Sequence, residues 1–328
     1  MPTLAATELS GFAVKAGFLK DIPYFALGSG EVVLVEGGQK TIRLHSGGLL
    51  AADERVEASG HATALVTGGD DGRVMELSAS GEVRQLSERP RKWIDLVACG
   101  PSGATAFASG RTAWVRLADG SEKEFPHERA VGGLAFAPKG LRLAVARYDG
   151  ATLWWVNTQG QPQMLEWKGA HLAASFSPDG KYLVTSMQEA ALHCWRLTDA
   201  QDMRMTGYPS KVKSMSWSAK GRYLATSGAN AAIVWPFSGK TGPMGQAPLQ
   251  LGTRSDALVT SVACHPKEDV AAVGYQDGMI LLCRFEDNAE VLLRRAAKSP
   301  VSTMAWDRVG VRLAFGTEDG AGGVIALE

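Results

Sequence analysis

The chain has 328 residues, 45% hydrophobic and 21% charged, with 34 Lys and Arg balancing 34 Asp and Glu. That is the profile of a soluble globular protein holding one large domain or two ordinary ones. A net charge of zero excludes a global field that would draw in nucleic acid or an anionic membrane, and leaves only local patches.

Along the chain, the first stretch lacks a long apolar core. Glu8 and Lys15 interrupt it, so it does not read as a signal peptide. No later run approaches the length of a membrane span. The four cysteines, Cys99, Cys194, Cys264 and Cys283, include no CxxC pair and no dense disulfide spacing, which points to a reducing cytoplasm. The 38 glycines against 14 prolines predict many tight turns rather than disorder.

From Ile94 onward a repeat takes over. IDLVACGP (94–101), VGGLAFAP (131–138), HLAASFSP (171–178), VKSMSWSA (212–219), VTSVACHP (259–266) and VSTMAWDR (301–308) align without gaps, at steps of 37, 40, 41, 47 and 42. Apolar residues at positions four and six alternate as in a strand. A turn and a second apolar strand follow, clearest in SPDGKYLVTS, SAKGRYLATS and APKGLRLAVA. Then come turns with acids or Gly (RYDG, YQDG, TEDG) and third strands such as ATLWWVN, ALHCWRL, AAIVWPF and MILLCRF. Variable polar segments lead into fourth strands such as PQMLEWK and EVLLRRA.

Four short strands every forty or so residues make a β-propeller blade. FSPDGKYLVTS…ALHCWRL resembles a WD40 unit in its first three strands, and the resemblance covers essentially the whole chain. The third strands lack the Trp-Asp dipeptide: they read Trp114-Val115, Trp155-Val156, Trp195-Arg196 and Trp235-Pro236. The Gly-His pair expected before the first strand, which would carry the family's buried His–Asp hydrogen-bond network, is missing too. One slot of the third strand recurs as Leu34, Met75, Trp114, Trp155, Trp195, Trp235, Cys283 and Ile325. The expectation is therefore an all-β closed propeller of four-stranded antiparallel blades, one domain over residues 1–328, with eight blades and seven as the alternative. The last module ends after its third strand, and the segment Ala5–Phe12 is expected to supply the fourth, removing an open sheet edge.

Chemistry was sought against that frame. Gly239-Lys240-Thr241 matches the tail of a phosphate-binding loop. Its first glycine is missing, and Pro243, Gly245 and Pro248 oppose the helix that must follow. No Gly-x-Ser-x-Gly or His-x-x-x-His occurs. The acids Asp70, Asp71, Asp149, Asp277, Glu318 and Asp319 fall at tight turns, where Asp-Gly is common for conformational reasons. The pairs His193-Cys194 and Cys264-His265 suggest a soft-metal site, but each cysteine occupies a slot that other modules fill with core residues. No catalytic, cofactor or metal residue is expected.

Family resemblance implies a non-catalytic protein-interaction scaffold: a monomeric, cytoplasmic ring whose partners are one or more proteins, not nucleic acid or membrane. Two other readings stand beside it, an enzyme or small-molecule binder at the central channel mouth and a metal-handling protein acting through the Cys/His pairs. Two candidate docking faces emerge. One rim, built from second turns and inter-blade connections, carries Arg91, Trp93, Tyr148, Lys168, His171, Lys211, Arg254, Tyr275 and Lys298. On the other rim a long loop in the sixth module carries Phe237, Lys240 and Met244. Long loops often hold function.

Overall fold

The structure is a computed structural model and describes residues 2–327. The described residues are all-β, with a single 3-10 turn at Pro101–Gly103. In chain order, β1 (Thr3–Glu8) precedes the sheet of β2 (Ala13–Leu19), β3 (Ile22–Leu27), β4 (Glu31–Val35) and β5 (Gln39–Arg43). Next come β6 (Leu49–Val56), β7 (Ala62–Gly69), β8 (Arg73–Ser78) and β9 (Val83–Glu88), then β10 (Leu96–Cys99), β11 (Thr105–Ser109), β12 (Thr112–Arg116) and β13 (Glu122–Pro126). A wide sheet follows, with β14 (Val131–Phe136), β15 (Arg142–Trp155), β16 (Gln163–Phe176), β17 (Tyr182–Met187), β18 (Leu192–Arg196) and β19 (Gln201–Met205). Two more four-stranded sheets are β20 (Met215–Trp217), β21 (Tyr223–Thr226), β22 (Ala232–Pro236) and β23 (Leu249–Leu251), and β24 (Val259–Cys264), β25 (Val270–Tyr275), β26 (Ile280–Arg284) and β27 (Glu290–Arg294). The last sheet holds β28 (Val301–Trp306), β29 (Arg312–Thr317) and β30 (Ala321–Ala326), with β1 antiparallel to β30 from Thr3↔Ala326 to Glu8↔Ala321.

The expected eight separate four-stranded blades are corrected by the pairing. The strands form seven sheets, six of four strands and one of six. The physical reason is β16. Elsewhere a loop separates the last strand of one repeat from the first strand of the next. Here residues 163–170 pair with β15 and residues 171–176 pair with β17, without a break in extended backbone. β15 is also continuous through a register shift between Tyr148 and Gly150. Gly150 has φ +125, and a Cβ there would lie 2.0 Å from the Leu165 carbonyl oxygen, so only glycine fits the bend.

The chain divides into two compact units, Met1–Ile42 with Gly207–Glu328, and Arg43–Thr206. Second strands are buried on both faces, as in YLVTSM of β17, where all six residues are buried. That is the pattern of a strand flanked by packed sheets on either side. The fourth strand β5 (QKTIR) is largely exposed.

First strands within one unit are stitched by hydroxyls. Ser214 Oγ accepts from Val262 N–H at 3.0 Å, and Ser216 Oγ accepts from Cys264 N–H at 2.9 Å. Thr260 Oγ1 donates to the Val301 carbonyl at 2.7 Å and Ser302 Oγ to that of Ala13 at 2.7 Å. In the other unit Gly132 approaches so closely that a Cβ would sit 2.1 Å from the His171 carbonyl oxygen, which accounts for the glycines of VGGLAF.

Three buried threonines at one register position organise the polar core. Thr67 bonds His45 Nε2 at 2.8 Å while His45 Nδ1 meets Asp71 at 3.0 Å. Thr185 bonds His171 Nδ1 at 2.7 Å. Thr226 bonds the Tyr208 hydroxyl at 2.7 Å, which in turn accepts from Trp235 Nε1 at 2.6 Å. A His–Asp network therefore exists on Asp71, without the Gly-His pair. Slot assignments shift as well. Val156 N–H donates to the Leu141 carbonyl as Leu197 N–H does to that of Lys181. Counting back two places puts Trp154, not Trp155, in the position of Trp195. Met75 faces Thr67, and Leu77 faces Leu65, so Leu77 takes the slot assigned to Met75.

Candidate functional site

A groove of about 860 Å³ opens in the unit Arg43–Thr206. One wall is the connection between β13 and β14. It is held against the neighbouring turn, because His127 N–H donates to the Arg111 carbonyl at 2.9 Å and Val131 N–H to that of Gly110 at 2.8 Å. The other wall comes from β15 and β16.

The groove floor is a half-buried polar–aromatic cluster. Trp154 Nε1–H donates to His127 Nε2 at 3.3 Å, and the Thr152 hydroxyl reaches the same nitrogen at 2.9 Å. Phe125 packs on Trp154 with ring centroids 4.9 Å apart. With Nε2 accepting from the indole, the ring is neutral, and burial pushes its pKa below the ordinary histidine value.

Charge surrounds this floor. Arg129, Arg147 and Lys168 line the groove with Glu128, Asp149 and Glu166. Asp149 accepts a backbone hydrogen bond from Gly169 at 3.3 Å, and nearby Glu189 accepts one from Ala170 at 3.3 Å. The cations have no such engagement with carboxylates: among the described residues none of the three makes an ion pair. Arg129 lies over the Tyr148 ring at 6.0 Å, and Arg147 donates to the Tyr148 carbonyl at 2.8 Å. Tyr148 is 45% exposed and Met164 is 47% exposed.

Behind the groove lies a second aromatic cluster. The Trp167 carbonyl can only accept, so His171 Nε2 carries the proton at 3.0 Å and Nδ1 accepts from Thr185. His193 stacks on Trp167 at 4.2 Å and meets Trp195 edge-on at 4.5 Å. Neither ring nitrogen of His193 has a hydrogen bond. Burial, with His171 and Arg204 adding to it, lowers its pKa to about 3. Its Nε2 lies 3.8 Å from the Asp202 carboxylate.

The residues singled out in the sequence separate into accessible and inaccessible. Tyr148 and Lys168 come together in the groove, whereas His171 is buried. Arg91 and Trp93 stand exposed after β9, with Trp93 at 67%. In the other unit Lys211 and Lys298 are exposed. Arg254 is tied to Asp277 at 2.8 Å and Asp256 at 2.9 Å. Tyr275 is fully buried under Arg254, and its hydroxyl donates to the Gly252 carbonyl. In the long loop Phe237 is buried against Trp217, while Lys240 and Met244 are exposed. That loop folds on itself through Gly239–Gly242, Thr241–Met244 and Pro243–Gln246 turns, and no helix follows it. Sequence reading placed Arg129 on the charged rim but missed Arg147 and the His127–Trp154 floor as a site. Their signal was HER at 127–129 and RYD at 147–149, charged triplets at both turns of one repeat.

The cysteines are free. Burial pushes the Cys264 thiol up to about 12, and its Sγ contacts the Ser216 carbonyl at 3.2 Å. His265 spends Nε2–H on Gly310 at 2.9 Å and Nδ1 on the N–H groups of Lys267 and Glu268. Among the described residues no group of three or more His, Cys, Asp or Glu could hold a metal ion. No helix among them is long and apolar enough to cross a membrane.

Comparisons with known proteins agree on architecture. Residues 201–235 match the family model "WD domain, G-beta repeat". Telomerase protein component 1 of Rattus norvegicus is 23% identical over 204 residues, 60% of this chain but only 8% of that protein. The C-terminal WD40 domain of Sif2 superposes with a TM-score of 0.77 at 13% identity, covering 99% of this chain and 98% of that one. The computationally designed Ika8 protein gives 0.71 at 18% identity, with 98% of both chains covered. A chain of the mitotic checkpoint complex gives 0.65 at 15% identity, over 80% of this chain and 84% of that one. At these identities the likeness is one of fold.

Proposed function

We propose that this chain, a WD40-type β-propeller, is a non-catalytic protein-interaction scaffold whose principal docking surface is the groove lined by Arg129, Arg147, Tyr148 and Lys168. The observation that carries the reading is the combination in one open groove of three cations without ion pairs among the described residues and two half-exposed anchors, Tyr148 and Met164. Interfaces are enriched in aromatic residues, Met and Arg, and residues of this kind carry most of the binding energy. Arg91 and Trp93 offer a further exposed contact, and Lys211 and Lys298 outlying ones. Lys240 and Met244 form the rival face. Four free cysteines support a reducing compartment such as the cytoplasm.

The test is crosslinking of the tagged chain in its native host, followed by mass spectrometry. A partner should be captured in stoichiometric amount, lost with Arg129→Glu and Lys168→Glu combined, and kept with Met244→Ala. A partner retained by the double reversal and lost with Met244→Ala would move the site to the long loop.

A further inference from the structure

A second cavity in the unit Arg43–Thr206, about 280 Å³, collects three arginines around a single carboxylate. It lies between β6–β9 and β11–β12, away from the groove. Arg55 is its fixed centre. Its Nε–H donates to Glu76 at 2.8 Å, its Nη2–H to the Thr105 hydroxyl at 2.8 Å, and its side chain is only 18% exposed. The other oxygen of Glu76 accepts from Arg84 Nη2 at 2.7 Å. Thr105 pairs across the sheet with Arg116, whose Nη1 donates to the Gly120 carbonyl at 2.7 Å. A continuous chain of contacts thus runs Arg84–Glu76–Arg55–Thr105–Arg116.

The charges do not cancel. Burial alone would push the Glu76 carboxyl up, but the hydrogen bonds from Arg55 and Arg84 outweigh it and hold the group below its ordinary value. Glu76 is therefore ionised and neutralises one guanidinium of three. Glu122 lies 3.9 Å from Arg116 but is taken by Arg89, which brings its own positive charge. With Asp119 also acting on Arg116, the cavity keeps a surplus of one positive charge. Among the described residues, Nε and Nη1 of Arg84 and Nε and Nη2 of Arg116 make no hydrogen bond.

We infer that this cavity is a binding site for a phosphate monoester, whose multiple acceptor oxygens match the unused donors of Arg84 and Arg116. A phosphorylated side chain carries a charge of about −1.5 to −2 at neutral pH and three strong acceptor oxygens. Arginine forks suit that geometry. The volume falls just below the roughly 300–1,000 Å³ of drug-sized sites, so it admits a head group and not a whole molecule.

The test is titration calorimetry on the full chain with a phosphoserine peptide, the same peptide unphosphorylated, and inorganic phosphate, at constant ionic strength. The phosphorylated peptide should bind and its unphosphorylated twin should not. Arg84→Gln and Arg116→Gln should each weaken binding by about 10-fold, the worth of one charge-assisted hydrogen bond. Arg84 is 66% exposed, so its variant should keep the wild-type melting temperature. Tighter binding of the peptide than of inorganic phosphate assigns the site to a modified protein, and equal binding assigns it to free phosphate. Affinity weaker than about 1 mM for both phosphate probes, or unchanged affinity in Arg84→Gln, overturns the assignment.

Discussion

Arg254 with Tyr275 and Arg129 with Tyr148 are the same two residue types on corresponding connections and turns, with opposite outcomes. Tyr275 is the last residue of β25, paired with Val259 and fully buried, and the Arg254 head above it is tied to two aspartates. At the matching place in β15 stands Arg147, paired with Val131. Tyr148 comes one residue later. In a strand, one residue is the difference between the two faces. Tyr148 therefore points out at 45% exposure, and Arg129 covers it without a carboxylate partner. One pair became structure and the other became surface.

The largest effect expected from that contrast is in stability. Tyr275→Ala should cost about 3–5 kcal/mol, the range for large aromatic deletions in a core, while Tyr148→Ala should stay within about 0.5 kcal/mol. Urea denaturation of both variants measures it, and equal losses would break the comparison.

The next effect concerns pH. The folded pKa of His193, about 3, lies below its ordinary value of 6.5. Between those two values the unfolded chain binds the proton and the folded chain does not. Stability from this group is therefore complete above about pH 6.5 and falls as pH drops toward 3, by at most about 1.4 kcal/mol per unit. His193→Phe should flatten that part of the urea-midpoint profile. An unchanged slope would mean that His193 is not the neutral plate behind the groove.

A smaller effect separates the two arginines. Arg254→Ala should destabilise by about 1 kcal/mol, since its ion pairs are partly exposed, and added salt should narrow its gap to wild type. Arg129→Ala should leave the melting temperature unchanged within about 0.5 kcal/mol. Matching losses in the two variants would show that Arg129 has a structural partner after all.

Much of the architecture was legible because it rests on spacing. Strand-length alternation, turn glycines and a repeat near forty residues identify a propeller although no third strand carries the Trp-Asp pair. The sheet count was not legible, because nothing in QMLEWKGAHLAASF announces that β16 runs unbroken through two repeats. The shift from Trp155 to Trp154 has the same origin: the turn RYDG is one residue shorter than that between Leu183 and Trp195. Siding was the hardest part. Tyr275 ends β25, Phe237 directly follows β22 and His171 sits where β16 changes partner, places where an error of one residue turns a buried ring into a supposed anchor. The first-strand serines and threonines read as small fillers, and their bonds to neighbouring strands become visible only when the sheets are assembled.

The most direct test of the scaffold reading is hydrogen–deuterium exchange on the chain alone and with its captured partner. Slowed exchange over residues 126–131 and 161–168, with β24–β27 unchanged, is the predicted result. Protection confined to the loop at 237–248, with none in the groove, would contradict it.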